Sequence, residues 1–377
     1  MTTCEAEGKP VVDDAVVDDA RVIERLTVRK VIAPLPKPHK TASGTVEAAP
    51  LVLLDIMTRD GVTGSSYLFV YTPMMLEPVA SLLRAFGEII TAEIAEPGDI
   101  TAQLSAKCRL VGNQGATGMS ISAIDMALWD NKARATGQPL ASCLGFSTRP
   151  VRVYDSLGQM SPDETAREVE QSLEAGFRCF KVKAGHENPA TDVAVVRAIR
   201  AVAGDDCWIA MDFNQAFTPA ESIARMQRLD GESVAWIEEP ARAEDHYGHA
   251  DVRRAIKTPV QTGENWWGIA DMRHALAVGA SDHVMPDLMK IGGVTGWQSA
   301  AALAMAEAKP VSSHLFCEYS VHLMTATPTA LMLEWLDVAG IVNGNQPTIS
   351  EGYAIPAPGD GAGLVWDEST IARYLVA

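Results

Sequence analysis

The chain has 377 residues, 47% hydrophobic and 21% charged, which is the composition of a globular protein and excludes a largely disordered one. Its formal net charge is −17 and no Lys/Arg run exceeds two residues, so neither a nucleic-acid nor an anionic membrane surface is expected. No apolar stretch is long enough to span a membrane. Residues 1–20 are predicted to be a flexible acidic extension, without the order of a signal peptide. The six scattered cysteines lack a CxxC pair and indicate a reduced, cytoplasmic protein.

Residues 21–149 mix strand and helix patterns and are predicted to form an α+β domain. Asp60-Gly61, between two strand patterns, indicates a hairpin. The polar stretch 36–46 has no periodicity and is predicted to be an exposed loop. The strand and then helix patterns cover residues 22–32, 50–57, 64–71, 76–94 and 121–135.

From Pro150 onward, a short apolar strand is repeatedly followed by an amphipathic helix. This alternation indicates parallel βαβ units, and eight strands in about 200 residues favour a (β/α) barrel over an open doubly wound sheet. No Gly-rich phosphate loop follows the first strand, which also argues against a Rossmann fold. The eight strands are predicted at 151–154, 179–183, 208–213, 234–237, 260–262, 283–285, 311–313 and 331–333.

Polar side chains stand at the carboxyl end of each predicted barrel strand. Because these ends meet at one mouth, where barrel enzymes place their active sites, we expect the side chains to form a single site. One such charge could simply be solvated, but its recurrence on successive strands does not fit chance. In chain order the residues are Ser156, Lys181, Lys183, Asp212, Asn214, Glu238, Glu264, Asp287, His314 and Glu334.

Three of these carboxylates, Asp212, Glu238 and Glu264, follow successive strands and indicate a site for Mg²⁺ or Mn²⁺. Oxygen ligands without Cys or His suit a hard ion, and three close negative charges would otherwise repel one another. The alternative is that a Lys or Arg neutralises one of them. Glu239 is predicted to face the other side of its strand and is not assigned to the metal.

Two lysines and one histidine are candidate bases. Lys181 and Lys183 are two residues apart on one strand, so both amines should face into the barrel, where mutual repulsion would lower one pKa. The alternative for either is an ordinary surface lysine. His314, oriented by Asp287 on the neighbouring strand, is the second base. Lys290 is its rival, although a structural role is favoured there.

Together these groups predict removal of the proton α to a metal-bound carboxylate, through a stabilised enolate. Lys183 and His314 should approach from opposite sides of the barrel mouth, so one can remove the proton and the other return it to the opposite face. The result would be racemisation or epimerisation; loss of a β-hydroxyl with the same bases would be dehydration. Glu334, if its pKa is raised, would donate a hydrogen bond to the substrate carboxylate.

Short motifs run along nearly the whole chain after the first 20 residues: APLVLLDI, SSYLFVYTP, IDMALWD, FKVKAG, MDFNQ, WIEEP, TGENW, MPDLMKIGGVTGW, SSHLF and ATPTALMLEWLD. Together they resemble the mandelate racemase family of the enolase superfamily. The resemblance implies an α/β fold: a (β/α)7β TIM-type barrel at 150–350, an α+β capping domain at 21–149 and a segment 351–377 that returns to the cap. It also implies one Mg²⁺ per subunit and a symmetric homo-oligomer, often an octamer.

By motif position, the resemblance implies the three carboxylates named above as Mg²⁺ ligands, and Lys183 and Asp287-supported His314 as the two bases. It places Lys181 and Glu334 against the substrate carboxylate. Asn214 and Ser156 would lie near the substrate hydroxyl and carboxylate.

The cap differs from that of relatives that act on a phenyl substrate, in which the closing loop is valine-rich. Here the loop contains His39 and Ser43, with Val46 retained. Unless these polar side chains face solvent, they favour a more polar hydroxy acid such as an acid sugar. Residues of the two substrate-closing segments, 36–46 and 64–71, predicted to contact substrate are His39, Ser43, Val46, Tyr67, Phe69 and Tyr71.

The favoured function is therefore a Mg²⁺-dependent racemase or epimerase of a 2-hydroxy acid. An acid-sugar dehydratase is the alternative, since both reactions share the same steps up to the enolate. A non-catalytic binding homologue is disfavoured because no base and no metal ligand has been lost.

Overall fold

The structure, a computed structural model, describes residues 19–41 and 44–376. Most of the predicted acidic extension, together with Cys4 and Ser43, therefore lies outside the described residues. The cysteines of the described part are free thiols. Among its helices, none combines the length and the hydropathy needed to cross a membrane.

The first domain is a three-stranded antiparallel sheet, in the order β1-β2-β3, covered by helices. Leu51 to Leu54 are consecutive and fully buried, so both faces of the central strand are covered. The elements are β1 (Ile23–Thr41), β2 (Gly44–Thr58), β3 (Thr63–Phe69), α1 (Leu76–Ile90), α2 (Pro97–Lys107), α3 (Gly115–Ala135) and α4 (Leu140–Cys143), with 3₁₀ turns at Asp19–Arg21 and Pro73–Met75.

The stretch 36–46 was predicted to be an exposed loop. Most of its described residues are indeed exposed, but the loop is wrong: β1 and β2 form a long hairpin here, in which His39 is paired with Val46 and Thr41 with Gly44. The pairing register shifts between Pro34 and His39. Prolines at alternate positions of this segment cannot donate ladder hydrogen bonds, which explains both the missing periodicity and the shift.

The second domain is a barrel of parallel strands whose helices lie outside. β4 to β9 pair in chain order, and β10 pairs with β4. The strands are β4 (Val151–Leu157), β5 (Cys179–Lys183), β6 (Trp208–Asp212), β7 (Trp236–Glu238), β8 (Val260–Thr262), β9 (His283–Val284) and β10 (Leu333–Trp335). The helices are α5 (Pro162–Glu174), α6 (Pro189–Ala203), α7 (Pro219–Met226), α8 (His246–Ala255), α9 (Gly268–Ala277), α10 (Leu288–Ile291), α11 (Gly293–Ala306) and α12 (Cys317–Thr325).

The barrel strands differ from prediction at the seventh and eighth positions. Residue Val311 forms single parallel bridges with Val284 and Ala330, and these bridges continue the ring between β9 and β10. The eighth strand begins at Leu333 rather than at 331. Capping boxes at Ser161 and Thr218 begin α5 and α7.

The C-terminal segment leaves the barrel and reaches the first domain. It contains β11 (Thr348–Ser350), β12 (Tyr353–Ile355) and α13 (Glu368–Tyr374). β12 pairs with β4, and the Val376 amide donates to the Lys30 carbonyl of β1. The C-terminal segment thus connects the barrel to the first domain a second time, in addition to the chain that runs from α4 to β4.

Buried His322 on α12 should make the protein acid-sensitive. Its Nδ1 accepts from the Ala141 amide at 3.4 Å, and burial lowers its pKa to about 4. Because the unfolded chain binds a proton first as pH falls from about 6.5 to 4, this histidine should cost about 3 kcal/mol of stability over that window. Urea unfolding at several pH values should show a shallower pH dependence in His322→Gln; an unchanged slope would contradict this origin.

Candidate active site

The three predicted ligand carboxylates converge. Asp212 ends β6, Glu238 ends β7 and Glu264 follows β8; one oxygen of each lies within 4.8 Å of the others. All three are buried, and Glu264 Oε2 has no hydrogen-bond partner within residues 19–41 and 44–376. Burial, with the charges of Asp212 and Glu264, raises the pKa of Glu238. A crowded, buried, all-oxygen site with an unpartnered oxygen fits a divalent ion such as Mg²⁺.

Both lysines of β5 face this site, as predicted. Lys183 Nζ lies 2.5 Å from Asp212 Oδ2. Lys181 Nζ is fully buried, 2.6 Å from both Glu238 Oε1 and Glu334 Oε1.

The protein groups around the two lysines oppose the predicted fall of one lysine pKa. Burial alone would lower both values, but Glu238 and Glu334 raise the pKa of Lys181 and Asp212 raises that of Lys183. The prediction weighed repulsion between the two amines and left out the carboxylates of the neighbouring strands.

Glu334 accepts hydrogen bonds at the base of the site. Ser156 Oγ donates to its Oε1 at 2.9 Å, and the Leu315 amide donates to its Oε2 at 3.1 Å. The condition set for hydrogen-bond donation by Glu334, a raised pKa, is not met among the protein groups: although burial would raise it, Lys181 and His314 lower the pKa of Glu334 to about 2. Glu334 is therefore an ionised acceptor in this arrangement.

Asp287 and His314 form a hydrogen-bonded pair. His314 Nδ1 lies 2.6 Å from Asp287 Oδ2, while Asp287 Oδ1 accepts the amides of Met289 and Lys290 at the start of α10. His314 Nε2 is thereby directed toward the metal site, 3.6 Å from Glu264 Oε2. Burial would lower the pKa of His314, but Glu264 and Asp287 raise it.

The two residues after His314 have an unusual backbone. Leu315 has φ 53° and Phe316 has φ 51°, both in the left-handed region. A residue with a side chain is strained there by about 1–2 kcal/mol. Surrounding contacts must therefore hold this turn, which directly follows the candidate base His314.

A cavity of about 460 Å³ lies over the site, between the capping domain and the barrel mouth. The cap supplies a mixed wall of apolar side chains, two threonines, a tyrosine and one imidazole, and the barrel supplies the charged groups. Lining residues include Leu35, His39, Val46, Phe69, Tyr71, Lys183, Asn214, Glu264, Lys290, His314 and Leu315.

Several predicted contact residues lie elsewhere. Tyr67 is not in the cavity lining; it lies behind it, fully buried, and its hydroxyl donates to Glu318 at 3.0 Å. Lys181, Glu334 and Ser156 lie beneath the floor and contact one another. Asn214 lines the cavity, and its backbone N–H donates to Asp212 Oδ1 at 2.8 Å.

A polar cluster on the cavity wall was not predicted as part of the site. Glu239 accepts from Asn265 Nδ2 at 2.6 Å and from Gln215 Nε2 at 3.2 Å, and Lys290 Nζ donates to Asn265 Oδ1 at 2.7 Å. The prediction that Glu239 faces away is wrong because β7 ends at Glu238 and residue 239 turns with φ 41°. Strand alternation does not extend past that end.

The β1–β2 hairpin docks on the barrel beside this cavity. The Gln159 amide donates to the Lys40 carbonyl at 2.7 Å, and Lys37 Nζ lies 2.7 Å from Glu168 Oε2 of α5. A Cβ at Gly158 would lie 3.2 Å from the Lys40 amide nitrogen and 3.3 Å from its carbonyl oxygen, so the hairpin backbone would have to give way by a few tenths of an ångström.

Gly158→Ala should therefore shift the hairpin slightly away from the barrel. We expect KM for the substrate to rise about tenfold, because the cap wall of the cavity would be misplaced. Steady-state kinetics would check this, with Gly231→Ala as the matched control, since a Cβ there meets no atom within 4 Å. An unchanged KM in Gly158→Ala would mean that the hairpin does not act in binding.

Comparison with known proteins agrees with this arrangement. Residues 23–145 match the model of the mandelate racemase/muconate lactonizing enzyme N-terminal domain, and residues 164–370 match the enolase C-terminal domain-like model. The chain belongs to the mandelate racemase/muconate lactonizing enzyme family.

Relatives of known structure in this family resemble the chain closely. An enolase from Bradyrhizobium, crystallised with magnesium and mandelic acid, is 42% identical, with a TM-score of 0.91 over 94% of this chain and 99% of that one. A magnesium-bound enolase from an alpha proteobacterium is 36% identical, with a TM-score of 0.92 over 94% and 99% of the two chains. With the acidic triad of this chain, these structures identify Mg²⁺ as the cofactor.

Curated relatives catalyse several reactions. L-talarate/galactarate dehydratase of Salmonella typhimurium is 32% identical over 305 residues, 76% of this chain and 74% of its own length. L-Ala-D/L-Glu epimerase of Bacillus subtilis is 28% identical over 295 residues, 75% and 78% of the two chains. This member of the mandelate racemase/muconate lactonizing enzyme family is thus an enzyme of the enolase superfamily, and its relatives do not decide between the reactions.

Proposed function

We propose that the protein racemises or epimerises a 2-hydroxy carboxylic acid by moving the proton on its α-carbon. The observation that carries this proposal is the placement of two bases at one metal site. Lys183 contacts Asp212, whereas His314 Nε2 lies beside Glu264. Around the barrel, β4 and β10 separate the strand of Lys183 from the segment of His314. Bases that reach a substrate from separate sides can serve its two faces.

Each base has a defined reacting atom. Asp287 occupies Nδ1 of His314, so Nε2 is the nitrogen that takes or returns a proton. Glu264 and Glu334 lie within 3.9 Å of Nε2 and stabilise the imidazolium that forms. On the other side, the Lys183 amine gives up or receives the proton at Nζ, next to Asp212.

The substrate carboxylate is positioned by the metal site and its neighbours. Asp212, Glu238 and Glu264 would hold Mg²⁺, which supplies positive charge to the carboxylate as the α-proton leaves. Lys181 adds a second positive charge beneath the floor, where Glu334 and Ser156 fix its position. Asn214, on the cavity lining, can reach a substrate hydroxyl. The mandelic acid bound by the Bradyrhizobium relative supports a 2-hydroxy acid.

Dehydration of an acid sugar is the second candidate, and one observation favours it. His39 lines the cavity, and its buried Nε2 has no hydrogen-bond partner within the described part of the chain. Burial, with the charges of Lys183 and Lys181, lowers the pKa of His39 to about 4, so the ring is neutral near pH 7. A neutral imidazole in this wall suits a substrate hydroxyl better than a phenyl ring.

Isotope exchange separates the two reactions. The enzyme with Mg²⁺ is incubated in D₂O with mandelate, 2-hydroxybutanoate, 2,3-dihydroxybutanoate and galactarate, and the acids are measured by mass spectrometry. Deuterium gained at the α-carbon without loss of water, together with inversion of configuration, supports the racemase. Loss of one water supports the dehydratase. The Lys183→Ala/His314→Asn double variant is the control, and a wild type that behaves like it would overturn the proposal.

A further inference from the structure

The strained turn after His314 needs a support that its own sequence does not provide. Leu315 and Phe316 both have left-handed φ values, although neither is a residue type that favours them. On the barrel side, the Leu315 amide donates to Glu334, and the Leu315 carbonyl accepts from Ser320 Oγ at 2.8 Å. These bonds restrain Leu315 and leave the Phe316 side chain to be held from elsewhere.

Tyr67 of the capping domain holds that side chain. Its ring stacks on Phe316, with centroids 5.0 Å apart and planes inclined by 30°. Its hydroxyl donates to Glu318 Oε2 at 3.0 Å, and Glu318 also accepts from Asn343 Nδ2 at 3.3 Å. Tyr67 is 1% exposed. One buried cap residue thus contacts Phe316 in the turn and Glu318 in the first turn of α12.

We propose that Tyr67 is a positioning residue for the base His314, acting by holding the strained turn at residues 315–316. The inference rests on the proposed proton transfer by two bases. Tyr67 does not line the cavity, so its effect reaches the substrate through the backbone that carries His314. Lys183 stands on β5, which pairs with β4 and β6. Its connection to the cap runs through Gln159, which donates to the Lys40 and Ala184 carbonyls, and does not involve Tyr67. Loss of Tyr67 should therefore impair one half-reaction selectively.

The test measures α-proton exchange in D₂O for each enantiomer of mandelate and each stereoisomer of 2,3-dihydroxybutanoate, with Mg²⁺. Lys183→Ala and His314→Asn identify which stereoisomer each base deprotonates. In Tyr67→Leu we expect exchange by His314 to fall about 10- to 100-fold, and exchange by Lys183 to change less than about twofold. Tyr67→Phe keeps the stacked ring, so exchange by His314 should fall less than in Tyr67→Leu, and exchange by Lys183 should again be unchanged.

Tyr319→Phe is the matched control. Tyr319 is also fully buried, and its hydroxyl likewise joins α12 to the capping domain, donating to the Ser65 carbonyl at 2.5 Å. This hydroxyl also donates to the Met126 carbonyl at 3.2 Å, and within the described part of the chain it bonds neither Phe316 nor Glu318. If the loss of Tyr67 only loosened the two domains, Tyr319→Phe should show the same selective effect. A positioning role of Tyr67 predicts instead that Tyr319→Phe keeps the wild-type ratio of the two exchange rates.

A crystal structure of Tyr67→Leu gives a readout that needs no turnover. We expect Leu315 or Phe316 to leave the left-handed region and the His314–Asp287 pair to move; an unchanged turn would overturn the inference. Equal slowing of both stereoisomers would overturn it too. If Tyr67→Leu does not fold, Tyr67→Phe and Glu318→Gln decide by the same selectivity. If the wild type exchanges none of the acids, the proposed function fails, and the crystal structure still decides the role of Tyr67.

Discussion

Glu264→Gln is expected to lower kcat/KM by on the order of 1,000-fold when assayed at a Mg²⁺ concentration that saturates the wild-type enzyme. It should also weaken Mg²⁺ binding measured by calorimetry. Glu264 supplies the unpartnered oxygen of the triad, and a neutral amide cannot replace its charge next to a divalent ion. The fold should be unaffected, because the hydrogen bond that Glu264 accepts, from Asn265, is a long 3.4 Å.

Glu239→Gln is the matched control for metal binding. Glu239 lies in the same wall and carries the same group, but it is not among the converging triad. This variant should keep the wild-type Mg²⁺ affinity. Wild-type affinity in Glu264→Gln, or full turnover after removal of the metal, would contradict the ligand assignment.

Lys183→Ala is expected to slow proton exchange from one enantiomer by on the order of 1,000-fold, while the other enantiomer still exchanges through His314. The remaining site should stay assembled, because Lys181 Nζ still lies 3.3 Å from Asp212 Oδ2 and balances its charge. Deuterium incorporation into each enantiomer, followed by NMR, measures the effect.

His314→Asn should show the reverse selectivity. Racemisation should fail in both variants, since it needs both bases, while each retains one exchange reaction. Equal loss of exchange from both enantiomers in either variant would count against bases that serve opposite faces.

The barrel was predictable because each strand–helix unit carries its own local signal. Short apolar runs and amphipathic helix patterns recur in each unit independently of the rest of the fold. They lead to the correct fold class and to most strand positions. The hairpin around His39 was missed for the opposite reason. Its strand pairing depends on a partner in β2, and its prolines remove the local signature.

The same distinction applies to the site. The metal triad and the Asp287–His314 pair follow from strand ends alone, because parallel strands bring those ends together. Ionisation states and the place of Tyr67 do not follow, since they depend on which side chains of other strands and of the other domain lie nearby. Lys181 illustrates this: its partners Asp212, Glu238 and Glu334 all come from other strands of the barrel.

The docked hairpin has an evolutionary consequence. The proposed bases are spread over the rim of the barrel, whereas one hairpin, described at residues 35–41 and 44–46, supplies much of the cap side of the cavity. If the proposed function holds, a change confined to this hairpin would alter the cavity without touching the two bases. Hairpins grafted between relatives offer a direct way to redesign selectivity in this scaffold.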